Sequence, residues 1–124
     1  MKLRIRADSL RLRLTRGELE RLRDEGRVAQ TIHFGASELG YAIELGEREA
    51  VAASYEASTI TVTLPRAVAL AWIGGDEVGI AATQALPEGE LALLIEKDFQ
   101  CLAPRGEQDA DAFPHPEAKH GASC

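Results

Sequence analysis

The sequence matches itself without a gap at a fixed offset of 50 residues, from 1–46 onto 51–96. Apolar positions recur in that register, as in the pairs Leu14/Leu64, Leu22/Trp72, Val28/Val78 and Ile43/Leu93. Identities are few, so the shared pattern of apolar positions carries the inference. A chain of this kind is expected to fold as two tandem copies of one supersecondary unit, related by pseudo-two-fold symmetry.

Residues 2–6 and 10–14 alternate basic and aliphatic side chains with a period of two. This pattern predicts half-buried strands with leucines on one face and arginines on the other. Residues 7–9 between them are compatible with a bulge in one long strand or with a tight turn. A hairpin would set Arg6 opposite Arg11, and like charges directly opposite are unfavourable. The sequence therefore favours one long bulged strand.

A helix is predicted after the first strand, because Thr15 and Glu18 have the spacing of a capping box and Gly26 provides a stop. Strands at 28–34 and 41–45 complete a β-α-β-β unit.

In the second copy Pro65 takes the position of Thr15, and proline is well tolerated at a helix start. A helix at 66–73 and strands at 78–83 and 91–96 follow. The predicted fold class is α+β, mostly β: a single-chain barrel of two β-α-β-β repeats plus an irregular C-terminal tail.

Composition indicates one small globular domain, since 45% of the 124 residues are hydrophobic and 27% charged. We expect the barrel to occupy residues 1–98 and the tail residues 99–124. Residues 1–14 alternate arginine with leucine and do not form the apolar core of a signal peptide. No apolar run approaches the length of roughly 18 residues needed to span a membrane. The expected location is cytoplasmic, with no membrane partner.

Two motifs in the second copy, Leu-Pro-Arg at 64–66 and Gly-Asp-Glu-Val at 75–78, resemble the swapped-hairpin barrels of AbrB and MazE type. The likeness extends more faintly over residues 1–26. In that family two chains interleave to close one barrel, so the resemblance implies that this chain supplies both copies itself. It also implies DNA binding through basic residues near the long strand. The matching positions here are Lys2, Arg4, Arg6, Arg11 and Arg13.

Charge is distributed unevenly over the proposed copies. Residues 1–27 hold nine Lys/Arg against five Asp/Glu, whereas residues 28–124 hold five against fifteen. The second-copy equivalents of the five basic positions are Ala52, Ser54, Glu56, Thr61 and Thr63. Half of a symmetrical DNA footprint therefore lacks its charge, which places DNA binding second among the expected functions. The alternative is that the arginines form a solvated outer face.

The tail contains every cysteine and two of the three histidines, with the spacing Cys101-x13-His115-x4-His120-x3-Cys124. Two thiolates and two imidazoles form a suitable tetrahedral set for a zinc-like ion. Asp109 or Asp111 is an alternative oxygen ligand. The leading expectation is thus a non-catalytic binding protein that holds a transition metal in its tail. Alternatively, the tail is an unstructured acidic segment or engages a protein partner, as in an adaptor.

Catalytic motifs are poorly supported. His33 is the one histidine before the tail and lies in a predicted strand among Thr31, Ile32 and Phe34, which is typical of a surface or partly buried histidine. The glycines at 74–75 lack the lysine and the spacing of a phosphate-binding loop. The protein is predicted not to be an enzyme.

Overall fold

The computed structural model describes residues 1–99, which form eight strands and two helices in two similar halves. In chain order the elements are β1 (Lys2–Ile5), β2 (Ser9–Leu14), α1 (Arg16–Glu25), β3 (Arg27–His33), β4 (Glu38–Gly46), β5 (Ala52–Glu56), β6 (Thr59–Pro65), α2 (Arg66–Gly74), β7 (Gly79–Leu86) and β8 (Gly89–Lys97). The fold is mostly β, as predicted.

The strands form two four-stranded sheets, and each sheet combines one hairpin from each half of the chain. The first sheet has the order β1-β2-β8-β7 and the second has the order β3-β4-β6-β5. The two central pairs, β2 with β8 and β4 with β6, are parallel, and all other pairs are antiparallel. When each strand is replaced by its equivalent in the other half, the strand order of the first sheet becomes that of the second.

The expected closed barrel is wrong, because no backbone ladder joins the two sheets within residues 1–99. A side chain takes the place of such a ladder where β5 of the second sheet meets β7 of the first. The amide of Gln84 accepts a hydrogen bond from the backbone N–H of Ala53 at 2.6 Å and donates one to its carbonyl at 3.1 Å. These backbone groups are therefore not available to a neighbouring strand. On the other side, β1 has only four residues with which to extend a ladder.

The long bulged strand is also wrong. β1 and β2 form an antiparallel hairpin in which Lys2 faces Arg13 and Arg4 faces Arg11. The connection is tight: the N–H of Arg6 donates to the carbonyl of Ser9 at 3.1 Å, and Ala7 has a φ of 46°. Repulsion between the facing cations is partly offset by carboxylates at and just after the end of β8, as described below.

The offset of 50 residues holds for the first two strands and the helix of each half, but the following hairpins are related by 52 residues. Val28 pairs with Ile43 in one hairpin and Ile80 pairs with Ile95 in the other. The expected equivalence of Val28 and Val78 is therefore wrong, and Val78 is 54% exposed.

The two helices end differently, which accounts for this shift. α1 ends at Gly26, whose φ of 81° turns the chain directly into β3. α2 ends at Gly75, which has extended backbone, and residues 76–78 intervene before β7. Two equivalent backbone hydrogen bonds show the offset of 52. The N–H of Leu45 donates to the carbonyl of Gly26, and the N–H of Lys97 donates to the carbonyl of Val78, each at 2.9 Å.

The core lies between the sheets and beneath the helices. Leu14, Leu64, Leu22 and Trp72 are all buried, as predicted. The other buried apolar side chains of residues 1–99 are Leu12, Leu19, Val28, Ala42, Ile43, Leu45, Val62, Ala69, Leu93 and Ile95. Removal of these aliphatic surfaces from water is the main favourable contribution to folding.

Candidate anion-binding face

Four cationic side chains lie on the outer surface of the first sheet. Alternation along β1 and β2 directs the apolar side chains towards the core and the basic ones outward. The basic face, as we define it, consists of Lys2, Arg4, Arg11 and Arg13. Together with Leu3 they line a shallow concavity of about 240 Å³.

Two carboxylates partly neutralise this face, one near the end of β8 and one on the residue that follows the strand. Glu96 Oε1 accepts a hydrogen bond from Arg11 Nε at 2.6 Å and lies 3.7 Å from Arg13 Nε. Asp98 Oδ2 lies 3.5 Å from Lys2 Nζ. Arg4 has no ion pair with any of residues 1–99. The basic face therefore combines four cations with two carboxylates and retains a net positive charge.

Only the first sheet carries this charge. The second-half positions that correspond to the basic face are Ala52, Ser54, Thr61 and Thr63, which are small or hydroxylated. On that sheet Glu44 accepts a hydrogen bond from the hydroxyl of Thr63 at 3.4 Å. The two faces are thus similar in strand order and different in electrostatics.

The structure brings together four of the five basic residues predicted from the sequence. The fifth, Arg6, is exposed in the turn that follows β1. Sequence reasoning missed Glu96, although it forms the shortest ion pair on the basic face. Its position depends on the parallel pairing of β2 with β8, in which Arg13 is the partner of Glu96. Because Arg11 and Glu96 are far apart in the sequence, no local sequence pattern indicates their contact.

The predicted metal ligands Cys101, His115, His120 and Cys124 lie outside the described residues, as do Asp109 and Asp111. Within the described part of the chain, no group of three or more His, Cys, Asp or Glu side chains is arranged to hold a metal ion.

Outside the tail, His33 lies on an exposed hairpin with its Nε2 3.3 Å from Glu38 Oε2. The two residues face each other across β3 and β4.

Glu18 is the one buried charged residue among those described, and its role is structural. Burial alone would raise the pKa of its carboxyl. Hydrogen bonds from the Met1 ammonium and the backbone N–H of Thr15, with the ammonium's charge, outweigh that effect and lower the pKa. Thr15 also accepts a hydrogen bond from the N–H of Glu18 at 3.3 Å, which confirms the predicted capping box.

A second concavity, about 430 Å³, lies at the ends of the helices, where the chain leaves β8. Its apolar lining includes Leu14, Leu19, Ile73 and Phe99. Lys97 closes one side, because its Nζ donates to the carbonyl of Gly75 at 2.8 Å.

A family model described as a family of unknown function, DUF7009, matches residues 1–117. The chain belongs to the DUF7009 family. The match covers both sheets of the DUF7009 chain and continues beyond β8 into the tail, and it ends before His120 and Cys124. No curated protein and no solved structure matches the DUF7009 chain. Among its described residues there is no helix of the length and apolar character needed to cross a membrane.

Proposed function

We propose that this protein is a non-catalytic binding protein whose basic face binds the phosphate backbone of double-stranded DNA. One observation carries the proposal: Arg4 faces Arg11 and Lys2 faces Arg13 on adjacent strands of the first sheet. Lys2 and Arg4 are exposed, whereas the side chains of Arg11 and Arg13 are only 21% and 15% exposed. Facing residues of antiparallel strands have Cα atoms roughly 4.5–5.5 Å apart, so each like-charged pair opposes the folded state. A bound anion between the strands relieves that repulsion.

Phosphate is the anion that this arrangement fits best. Arginine guanidinium groups donate paired hydrogen bonds to phosphate oxygens, and a row of cations on a strand can follow successive phosphates. Contacts of this kind orient a protein on a duplex without reading its sequence. We therefore propose binding that depends on backbone charge and does not depend on base sequence.

The resemblance to AbrB and MazE barrels supports the same proposal. The Leu-Pro-Arg motif at residues 64–66 carries the likeness, and the exchange of hairpins between the two halves is compatible with interleaved copies in one chain. We propose that the halves are such copies and that only the first keeps the basic positions. The binding surface then lies on one side of the molecule.

A one-sided face limits the affinity. Because two carboxylates offset two of the four cations, about two phosphates should be neutralised, and the logarithm of the association constant should fall against the logarithm of salt concentration with a slope of about −2. Non-specific binding of this kind has dissociation constants of about 10⁻⁴ to 10⁻⁶ M at physiological salt. Binding should therefore be clear at low salt and weak at physiological salt.

Fluorescence anisotropy of a labelled duplex, titrated with the full chain at several salt concentrations, tests the proposal. Arg4→Ala should reduce the magnitude of the salt slope by about one. Arg48→Ala is the matched control, because Arg48 is an exposed arginine in the connection between β4 and β5. The absence of binding at low salt, or an equal loss in both variants, would contradict the proposal.

A further inference from the structure

Residues 107–112 have the sequence Glu-Gln-Asp-Ala-Asp-Ala, in which carboxylates alternate with uncharged residues. In an extended conformation such a segment directs all three carboxylates to one face, because successive side chains of a strand point to opposite sides. The segment therefore has the pattern of an acidic strand. It lies within the residues 1–117 that the DUF7009 family model matches.

β1 is an edge strand with a cationic outer row. Within residues 1–99 it pairs only with β2, so its other edge has no neighbouring strand. Lys2 and Arg4 face outward, and Arg6 follows in the same alternation. Neither Arg4 nor Arg6 has an ion pair within that part of the chain. An edge of this kind can accept an additional strand through its backbone groups.

The chain leaves β8 close to the start of β1. The N–H of Asp98 donates to the carbonyl of Leu14 at 2.8 Å, and the Asp98 carboxylate lies 3.5 Å from Lys2 Nζ. The seven residues 100–106 span up to about 23 Å when extended. In the sheet order, β1 lies two strand spacings from β8, so a strand added at its free edge would lie three spacings away, or about 14 Å. The acidic segment can therefore reach this edge.

We propose that residues 107–112 bind the free edge of β1 as a fifth strand of the first sheet, with their carboxylates beside Lys2, Arg4 and Arg6. The occupant is identified by its reach and by the match between its acidic row and the basic row of β1. Docking in this way would cover one side of the basic face. Competition between the tail and DNA is a consequence that rests on the proposed function, whereas docking itself does not.

Amide hydrogen exchange of the full chain, followed by nuclear magnetic resonance, tests the docking. In the natural sequence, amides of residues 107–112 should exchange at least about tenfold more slowly than in an unstructured peptide. The triple variant E107Q/D109N/D111N should lose that protection. The matched control D76N/E77Q/E88Q removes the same number of charges from exposed sites and should keep it.

Arg4→Glu tests the docking by changing β1 instead of the acidic segment. This change places a carboxylate opposite Arg11, which favours the β1–β2 hairpin, so loss of protection at residues 107–112 would not reflect unfolding. The control Arg48→Glu should retain protection. Exchange at the unstructured rate in the natural sequence would overturn the proposal. Protection that increases with protein concentration would also overturn it, because the occupant would then be the tail of a second copy.

The same variants separate this inference from the proposed function. If docking is correct and the basic face binds DNA, E107Q/D109N/D111N should bind a duplex about tenfold more tightly than D76N/E77Q/E88Q at low salt. If neither variant binds DNA while the exchange pattern holds, the proposed function fails and the docking stands. If both bind DNA equally and residues 107–112 are unprotected, the docking fails and the proposed function stands.

Discussion

Gln84 holds the backbone of Ala53 across the junction between the two sheets, with its side-chain amide bonded to both the N–H and the carbonyl. Gln84→Ala should lower the free energy of unfolding by about 1–3 kcal/mol, because two partly buried backbone groups lose their partners. Urea denaturation measures this change. Gln30→Ala removes an exposed glutamine bonded to the Tyr41 hydroxyl and should cost less. Equal effects of the two substitutions would show that the junction does not depend on Gln84.

Glu18 should make stability depend on pH. Its pKa is lower in the folded protein than in the unfolded chain, so its contribution is fully present above the unfolded value of 4.5. That contribution is lost as the pH falls through the folded pKa, because the protonated carboxyl no longer pairs with the Met1 ammonium. Urea denaturation from about pH 6 to about pH 3 should therefore show a flatter acid decline for Glu18→Gln. Glu20→Gln, exposed on the same helix, is the control, and matching curves for the two variants would refute this role.

Substitutions in the turn between β5 and β6 should increase the stability of the protein. Ala57 and Ser58 have φ values of 51° and 58°, a left-handed pair that asparagine and glycine adopt more readily. Replacing them with Asn and Gly should raise the free energy of unfolding by about 1 kcal/mol. Thermal denaturation with Ala36→Gly as a control in the β3–β4 turn checks the effect. Unchanged stability would mean that the left-handed backbone at this turn carries no cost.

Glu96 should restrain DNA binding, because it occupies both Arg11 and Arg13. Under the proposed function, Glu96→Gln should tighten binding to a duplex and increase the magnitude of the salt slope by about one. Glu90→Gln removes the same charge from an exposed position on β8 and serves as the control. Indistinguishable slopes for the two variants would separate Glu96 from the binding surface.

The metal site predicted in the tail can be tested separately. If Cys101, His115, His120 and Cys124 share one zinc-like ion, untagged protein should contain one equivalent of metal by elemental analysis. Cys101→Ser and Cys124→Ser should each reduce that content to a similar degree, because a tetrahedral structural site needs all four ligands. Substoichiometric metal in the natural protein, together with no response to added zinc, would eliminate the site.

Local patterns in the sequence predicted local structure well. The capping box of Thr15 and Glu18 and the stop at Gly26 are confirmed, since each depends on residues within one helical turn. Burial of Leu22 and Trp72 is also confirmed, because the apolar period of each helix identifies its inward side.

Long-range pairing limited the remaining predictions. The β1–β2 hairpin brings Arg4 opposite Arg11, and the sequence gives no sign that Glu96, on a strand from the other half, lies nearby to balance them. The change of offset from 50 to 52 arises from different helix ends at Gly26 and Gly75, which an ungapped comparison cannot detect. Closure of a barrel depends on contacts between edge strands and likewise has no local signal.

The exchange of hairpins between halves has a consequence for synthesis of the chain. When a ribosome has released only the first half, β2 and β4 both lack their parallel neighbours, which are β8 and β6. Each nascent hairpin then exposes an unpaired inner edge until the second half emerges. β8, the last strand among residues 1–99, supplies the parallel neighbour of β2, so cooperative folding of the two sheets must wait for nearly the whole of residues 1–97.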